Sequence, residues 1–175
     1  MFKVRASDQK NGKKNTMKSG VPENIVEAYG LAAKAFDSDP LNKQEIFEDV
    51  ISFCENDVEC KADDSLKRNT LLLWAYDKLA MAKFDASLYA EALAIWQKSY
   101  KLALSSKTKI NIGNKMLEAV EKANMKMSEK AKNIVKITAF LHKAYSDEKN
   151  QEAAERIQRL QNVAAFVLGE SKSTH

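Results

Sequence analysis

The stretch LYAEALAIWQKSYKLAL, residues 88–104, carries apolar side chains around a large part of a helical circumference. At helical spacing, one row of this stretch consists of large side chains: Tyr89, Leu93, Trp96, Tyr100 and Leu104. The adjacent row consists of mostly smaller side chains: Ala92, Ile95, Trp96, Ser99 and Ala103. A surface helix needs only one apolar stripe to reach a core. The stretch therefore predicts a helix that is packed on two sides, inside a stack of helices.

The rest of the chain predicts an all-α fold of about seven helices. Only 5 Gly and 2 Pro occur in 175 residues, and apolar residues recur at helical rather than alternating spacing. Capping or initiating residues mark the predicted helix starts, and a glycine marks the last end: Pro22, Asp39, one of Asp63, Asp64 and Ser65, Ser87, Ser105 or Ser106, Ser128, Asp147 and Gly169. The first, third, fifth and seventh helices then start at intervals of about 42 residues, which is typical of stacked antiparallel helical hairpins.

The composition predicts one folded domain with short extensions. Residues 21–170 form the predicted helical repeat domain, because 45% of the chain is apolar and 30% is charged, as in globular proteins. Residues 1–20 are polar and rich in Lys, and we expect a basic disordered arm there, with a disordered tail at 171–175. No apolar run approaches the ~18 residues of a membrane span, and no secretory signal is evident. We expect a cytoplasmic protein that does not enter the membrane.

Charge is distributed unevenly along the chain. Residues 1–20 carry a net charge of +5, and residues 21–97 carry −8. Residues 98–149 hold 12 Lys against 5 acidic residues, for a net charge of +7. A nucleic-acid-binding regulator that uses the basic 98–149 face and the arm is therefore an alternative function. Against it, the chain has only four Arg, and aromatic residues are not interleaved with the lysines as in stacking platforms.

A repeat-like pattern spans the third and fourth predicted helices. Leu79-Ala80 is followed at set steps by Ala82 and Phe84, and then by the segment YAEAL (89–93) and Trp96. In this pattern, residues 73–106 resemble a tetratricopeptide repeat. The resemblance implies a right-handed array of stacked helical hairpins. Another hairpin array and a plain helical bundle are the alternatives.

The tetratricopeptide resemblance also implies a concave groove that binds extended peptides or helices, lined by the first helix of each pair. Six residues on the third and fifth predicted helices are the candidates to line this groove and contact a partner protein: Asp77, Lys78, Met81, Asn111, Asn114 and Lys115. The alternative is that these are ordinary solvated positions. Asp77 and Met81 stand where carboxylate-binding members carry Lys and Asn, so we expect no carboxylate clamp. The preferred hypothesis is a non-enzymatic adaptor or chaperone-like module.

Catalytic and metal-binding patterns find little support in the sequence. No Gly-rich phosphate loop, His-Glu-x-x-His or Glu-x-x-His motif occurs, so we expect neither an enzyme nor a bound cofactor. Cys54 and Cys60 are six residues apart, which places them on different sides of one helix and disfavours a disulfide. A metal site would need about four ligands, and only His142 and His175 could join them. Cys54 lies on an apolar face and is interpreted as a buried structural thiol.

Overall fold

The predicted all-α fold is confirmed. A computed structural model of the protein describes residues 22–56 and 65–173. Within these ranges it contains no β-strand, and a short 3-10 helix at Ala35–Asp37 follows the first α-helix. Seven α-helices are present in the described part of the chain: α1 (Ile25–Lys34), α2 (Pro40–Asn56), α3 (Ser65–Asp85), α4 (Tyr89–Leu102), α5 (Ser106–Lys122), α6 (Met127–Asp147) and α7 (Gln151–Ser173).

Each helix packs chiefly against the helices that precede and follow it in the chain. The odd-numbered helices begin at Ile25, Ser65, Ser106 and Gln151, so their starts are 40, 41 and 45 residues apart. Sequential packing at a nearly constant interval is the arrangement expected of stacked antiparallel hairpins. The finer tetratricopeptide-like geometry of that packing stays a prediction.

The helix α4 is buried on two sides, as the opening stretch predicts. Ala92, Leu93, Trp96 and Ser99 are all buried. The polar Ser99 is accommodated because its hydroxyl donates a hydrogen bond to the carbonyl oxygen of Leu73 on α3, at 3.3 Å. One core cluster fills the space among α1, α2 and α3, and a second continues through α4, α5 and α6.

The α3–α4 hairpin is closed by small residues and an aromatic group. Ala80 and Ala92 are completely buried, which lets the two helix backbones approach closely. The Phe84 ring meets the Tyr89 ring edge-on at a centroid distance of 5.1 Å and lies 5.7 Å from the Trp96 ring. The residues that carry the repeat resemblance therefore form the packing seam of this hairpin.

Several helix starts agree with their predicted caps. The carboxylate of Asp39 accepts hydrogen bonds from the backbone amides of Leu41 and Asn42, both at 3.1 Å, and α2 begins at Pro40. The Ser105 hydroxyl accepts from the amide of Thr108 at 3.1 Å and starts α5. In both cases the side chain satisfies amides that have no partner within the helix.

Other predicted starts are wrong. The first helix starts at Ile25 rather than Pro22, because the Asn24 side chain caps it by accepting from the amide of Glu27 at 2.9 Å. Ser87 does not cap α4; it adopts a left-handed conformation with φ 63° and turns the chain after α3. The helix α6 starts at Met127, one residue before the predicted cap Ser128.

The end of the chain also differs from its prediction. Asp147 is the last residue of α6 rather than the start of α7. The Asn150 side chain accepts from the amide of Ala153 at 3.1 Å, and α7 begins at Gln151. Gly169 does not end α7, which continues through residues 171–173 of the predicted tail. The predicted arm at 1–20 lies outside the described residues, as does Cys60.

Candidate functional site

Two of the six predicted partner-binding residues are bonded to each other. The Lys115 ammonium on α5 lies 2.8 Å from Oδ1 and 3.0 Å from Oδ2 of Asp77 on α3. The same carboxylate accepts a hydrogen bond from the indole N–H of Trp96 on α4, at 2.9 Å. Asp77 and Lys115 therefore link three consecutive helices, and their charges are largely satisfied within the protein.

Two others lie together in a small cleft between α2 and α3. Lys78 and Met81 line this cleft of 380 Å³, which is bordered on α2 by Pro40, Lys43 and Phe47. Asn111 is exposed on α5. The structure therefore does not collect the six predicted residues in one groove.

Of the six predicted residues, Asn114 alone borders a large depression elsewhere on the molecule. This depression lies between α5 and α7, with α6 as its floor, and it has two connected compartments. Asn114, Leu117 and Leu160 are shared by both compartments. The Asn114 side-chain amide donates to the Tyr145 hydroxyl at 3.2 Å, which ties the α5 wall to α6. We call the whole depression the α5–α7 cleft.

The first compartment of the α5–α7 cleft is apolar and has a volume of 610 Å³. Its lining is mostly aliphatic and comes from all three helices: Leu117, Val120, Met127, Ala131, Ile134, Leu160, Val163, Ala164 and Val167. Glu118, Glu121 and Lys130 stand at its rim. Contiguous apolar surface with a polar rim is typical of interaction sites.

Several of these apolar side chains are left uncovered. Met127 is 71% exposed and Val163 is 62% exposed, and Leu160 is 38% exposed. Phe166, on the next turn of α7, is 66% exposed. Burying such side chains would contribute roughly 1.5–3 kcal/mol each. A partner that buried these side chains of the α5–α7 cleft would therefore gain binding free energy.

The second compartment is polar and has a volume of 720 Å³. Arg156 and Arg159 on α7 face it, together with Asn150 and Glu152 near the start of that helix. Within the described residues, neither guanidinium forms an ion pair. Guanidinium groups of this kind are suited to binding carboxylates in two-pronged geometry.

The rim charges are arranged by side. On the α5 wall, Glu118 is paired with Lys122 at 2.8 Å. The Lys130 ammonium on α6 donates to the backbone carbonyl oxygen of Glu121 at 2.8 Å. The α5 wall carries Glu118 and Glu121 at the apolar compartment, whereas the α7 wall carries Arg156 and Arg159 at the polar compartment.

Sequence reasoning missed the α7 side of the cleft, although the signal is present. Residues of α7 form one inner apolar row: Ala153, Ile157, Leu160, Ala164 and Val167. Val163 and Phe166 add a second row beside it, as in α4. α4 has a helix on each side, whereas within the described chain α7 packs chiefly on α6. A second apolar row on a helix with one main neighbour indicates a surface that something else covers.

Within residues 22–56 and 65–173, no three side chains of His, Cys, Asp or Glu come close enough together to hold a metal ion. No helix in those ranges is both long and apolar enough to cross a membrane. Comparison of the chain with models of protein families, with curated proteins and with solved structures finds no match.

Proposed function

We propose that this protein is a non-enzymatic adaptor that binds an amphipathic helix of a partner protein in the α5–α7 cleft. The observation that carries the proposal is the uncovered aliphatic lining of the cleft, above all Met127 and Val163. A chaperone-like role, in which the same cleft holds an otherwise unfolded partner segment, is a specific form of this function.

The shape of the α5–α7 cleft favours a helix as the occupant. Both walls and the floor are helices, and a further helix packs into such a groove with apolar residues at i, i+3, i+4 and i+7. The tetratricopeptide-like pattern agrees, since α5 and α7 would each be the first helix of a pair.

The rim charges define what the partner helix carries. Glu118 and Glu121 favour basic residues on the edge of the partner helix that faces α5. Arg156 and Arg159 favour acidic residues at the end that reaches the polar compartment. This asymmetry would fix the direction of the bound helix, because reversing it brings like charges together.

The test is affinity capture from source lysate treated with nuclease, using Val163→Glu and a matched control, Val26→Glu. Both valines are on helix surfaces, 62% and 76% exposed, so neither change should alter the melting temperature. Val163 lines the cleft and Val26 lies on α1, far from it in the chain. We expect discrete protein partners that bind the wild-type protein and Val26→Glu but not Val163→Glu.

Two results would overturn the proposal. The first is capture of the same partners by Val163→Glu at wild-type levels, which would place recognition elsewhere. The second is the absence of any protein partner that survives nuclease treatment. If partners are found, a synthetic peptide of the bound segment should gain helical circular dichroism on binding, as a helix-in-groove mode requires.

A further inference from the structure

A second cleft is lined by other faces of α5 and α6. Lys109 and Met116 on α5 line it, with Lys136 and Phe140 on α6. At 100° per residue, Lys136 lies roughly half a turn from the α6 residues that face the α5–α7 cleft, and Lys109 lies about a third of a turn from most of the α5 residues that do so. The helix α4 completes the lining with Gln97, Tyr100 and Lys101, and the volume is 300 Å³. We call it the lysine cleft.

The three lysines of this cleft have no ion-pair partner among the described residues. This distinguishes Lys101, Lys109 and Lys136 from other lysines of the same region, such as Lys115 and Lys122, which are paired with carboxylates. The lining itself contains three lysines and no carboxylate. Asp147 is near enough that its charge, after the effect of burial, helps to raise the pKa of the Tyr100 hydroxyl. The three lysines of the lining attract an anionic ligand.

A pair of aromatic rings forms one side of the lysine cleft. The Tyr100 and Phe140 rings are stacked with centroids 5.2 Å apart and an interplanar angle of 25°. The Tyr100 hydroxyl also donates to the carbonyl oxygen of Phe140 at 3.3 Å, which fixes the two groups relative to each other. Phe140 remains 39% exposed. The cleft therefore offers a fixed aromatic surface beside unpaired cations.

Packing brings together aromatic residues and lysines that are far apart in the sequence. Aromatic residues are not interleaved with the lysines along the chain, which counts against a stacking platform. Tyr100 and Phe140 are 40 residues apart in sequence, yet their rings stack and line the same cleft as Lys101 and Lys136. The aromatic rings come to lie beside the lysines only when α4, α5 and α6 pack together. The spacing of these residues along the sequence could not reveal this.

We infer that the lysine cleft binds single-stranded nucleic acid without sequence preference. Lysine ammonium groups contact phosphates as point charges, whereas an exposed aromatic face stacks on any base. No arginine lines the cleft, so the two-pronged recognition of guanine is missing from its lining. A volume of 300 Å³ is at the small end of ligand cavities and suits one unpaired base rather than a duplex. An acidic peptide would satisfy the lysines but would leave the ring pair unused.

The experiment is fluorescence anisotropy of a labelled 12-nucleotide oligo(dT) with the full chain, repeated over a series of salt concentrations. The test variant is Lys101→Gln/Lys109→Gln/Lys136→Gln. The control variant, Lys34→Gln/Lys43→Gln/Lys126→Gln, removes the same charge outside the cleft. We expect the test variant to bind oligo(dT) about tenfold or more weakly than the wild type. Its plot of log K against log salt concentration should be shallower by about 2, because each of three lost phosphate contacts contributes ~0.7 to the slope for single strands. The control should retain nearly wild-type binding.

Phe140→Leu separates stacking from charge. We expect it to weaken oligo(dT) binding about fivefold or more, with the salt slope unchanged. Circular dichroism melting of each variant verifies that the fold is intact. The inference is overturned if oligo(dT) does not bind, if the control triple variant loses as much affinity as the test variant, or if Phe140→Leu has no effect. Displacement of oligo(dT) by polyglutamate at equal charge concentration would likewise overturn it, in favour of an acidic protein partner.

Discussion

Asp77 of α3 and Lys115 of α5, 38 residues apart in the chain, form an ion pair with 2.8 Å between Oδ1 and Nζ. The pair closes over α4, because the indole N–H of Trp96 donates to the same Asp77 oxygen at 2.9 Å. The Lys115 ammonium also lies 6.0 Å from the centroid of the Trp96 ring. One carboxylate thus holds three consecutive helices, and its loss leaves two donors without their acceptor.

We expect Asp77→Leu to lower the free energy of unfolding by about 1–3 kcal/mol, because the Trp96 N–H stays buried without an acceptor. Asp77→Asn should cost less, since its amide oxygen can still accept from the indole. Glu118→Leu is the control, because it breaks the exposed pair with Lys122 and should change stability less than Asp77→Leu does. Urea denaturation measures all three. Equal losses of unfolding free energy for Asp77→Leu and Glu118→Leu would show that the link among three helices stabilises the fold no more than an exposed ion pair does.

The local pattern of the sequence predicted the fold class because helix formation and burial are encoded at short range. The two apolar rows of residues 88–104 predict a helix covered on both sides, and Trp96 and Ser99 are indeed buried. Helix ends were harder to predict. Ser87 and Asp147 are both residues that favour caps, but Ser87 takes a left-handed turn and Asp147 stays within α6. Several nearby residues compete to cap a helix, and tertiary packing decides which one does.

The candidate site could not be predicted from the sequence, because it is formed by contacts between residues that are far apart in the chain. Asp77 and Lys115 are charged residues at positions where a groove is expected, and nothing local reveals that they pair with each other. Val163 looks like an ordinary core position of an amphipathic helix. It is exposed because no described helix follows α7 to cover it. Long-range pairing and the end of the helical stack are properties of the whole fold.

Gly113 is required where α5 crosses α6. A Cβ atom at this position would lie 2.6 Å from Cδ2 and 2.8 Å from Cγ of Leu141. Leu141 is completely buried, so its side chain is surrounded by other core atoms. We expect Gly113→Ala to destabilise the protein by about 1–3 kcal/mol through overpacking. Thermal denaturation followed by circular dichroism measures the loss.

Gly30→Ala provides a matched control within α1. A Cβ there meets nothing within 4 Å, and alanine is the better helix former, so we expect a gain of about 0.5–1 kcal/mol. Adding Leu141→Ala to Gly113→Ala should cost less than the two single losses combined, because the smaller side chain removes the clash. Additive losses would show that Gly113 and Leu141 do not meet as described.

Cys54 is predicted to be protected from thiol reagents by the fold. Cys54 lies on α2, is only 1% exposed and belongs to the core cluster that fills the space among α1, α2 and α3. In a Cys60→Ser variant, Cys54 is the one remaining thiol, and we expect it to react with Ellman's reagent only in denaturing urea. The same variant in urea should titrate one thiol per chain, which controls for oxidation. Rapid reaction of the native variant would contradict burial of Cys54.

Tyr76 connects α3 to α2 through a polar cluster at the edge of the core. Its ring is buried, and its hydroxyl donates a hydrogen bond to the Glu55 carboxylate. The Lys98 ammonium lies 3.8 Å from the same carboxylate and 5.3 Å from the centroid of the Tyr76 ring. Burial raises the pKa of Tyr76 well above its usual value, and the bond to Glu55 and its negative charge raise it further.

This shift predicts a loss of stability at high pH. In the unfolded chain Tyr76 ionises near pH 10, whereas the folded protein keeps the proton to higher pH, so its contribution is complete below pH 10 and declines above it. The decline for one proton approaches about 1.4 kcal/mol per pH unit. We expect Tyr76→Phe to be less stable at pH 7, through loss of the hydrogen bond, but to lose less between pH 10 and 11 than the wild type. Urea denaturation at pH 7, 9, 10 and 11 gives the comparison. Parallel stability curves of the two proteins above pH 10 would mean that Tyr76 does not hold its proton in the fold.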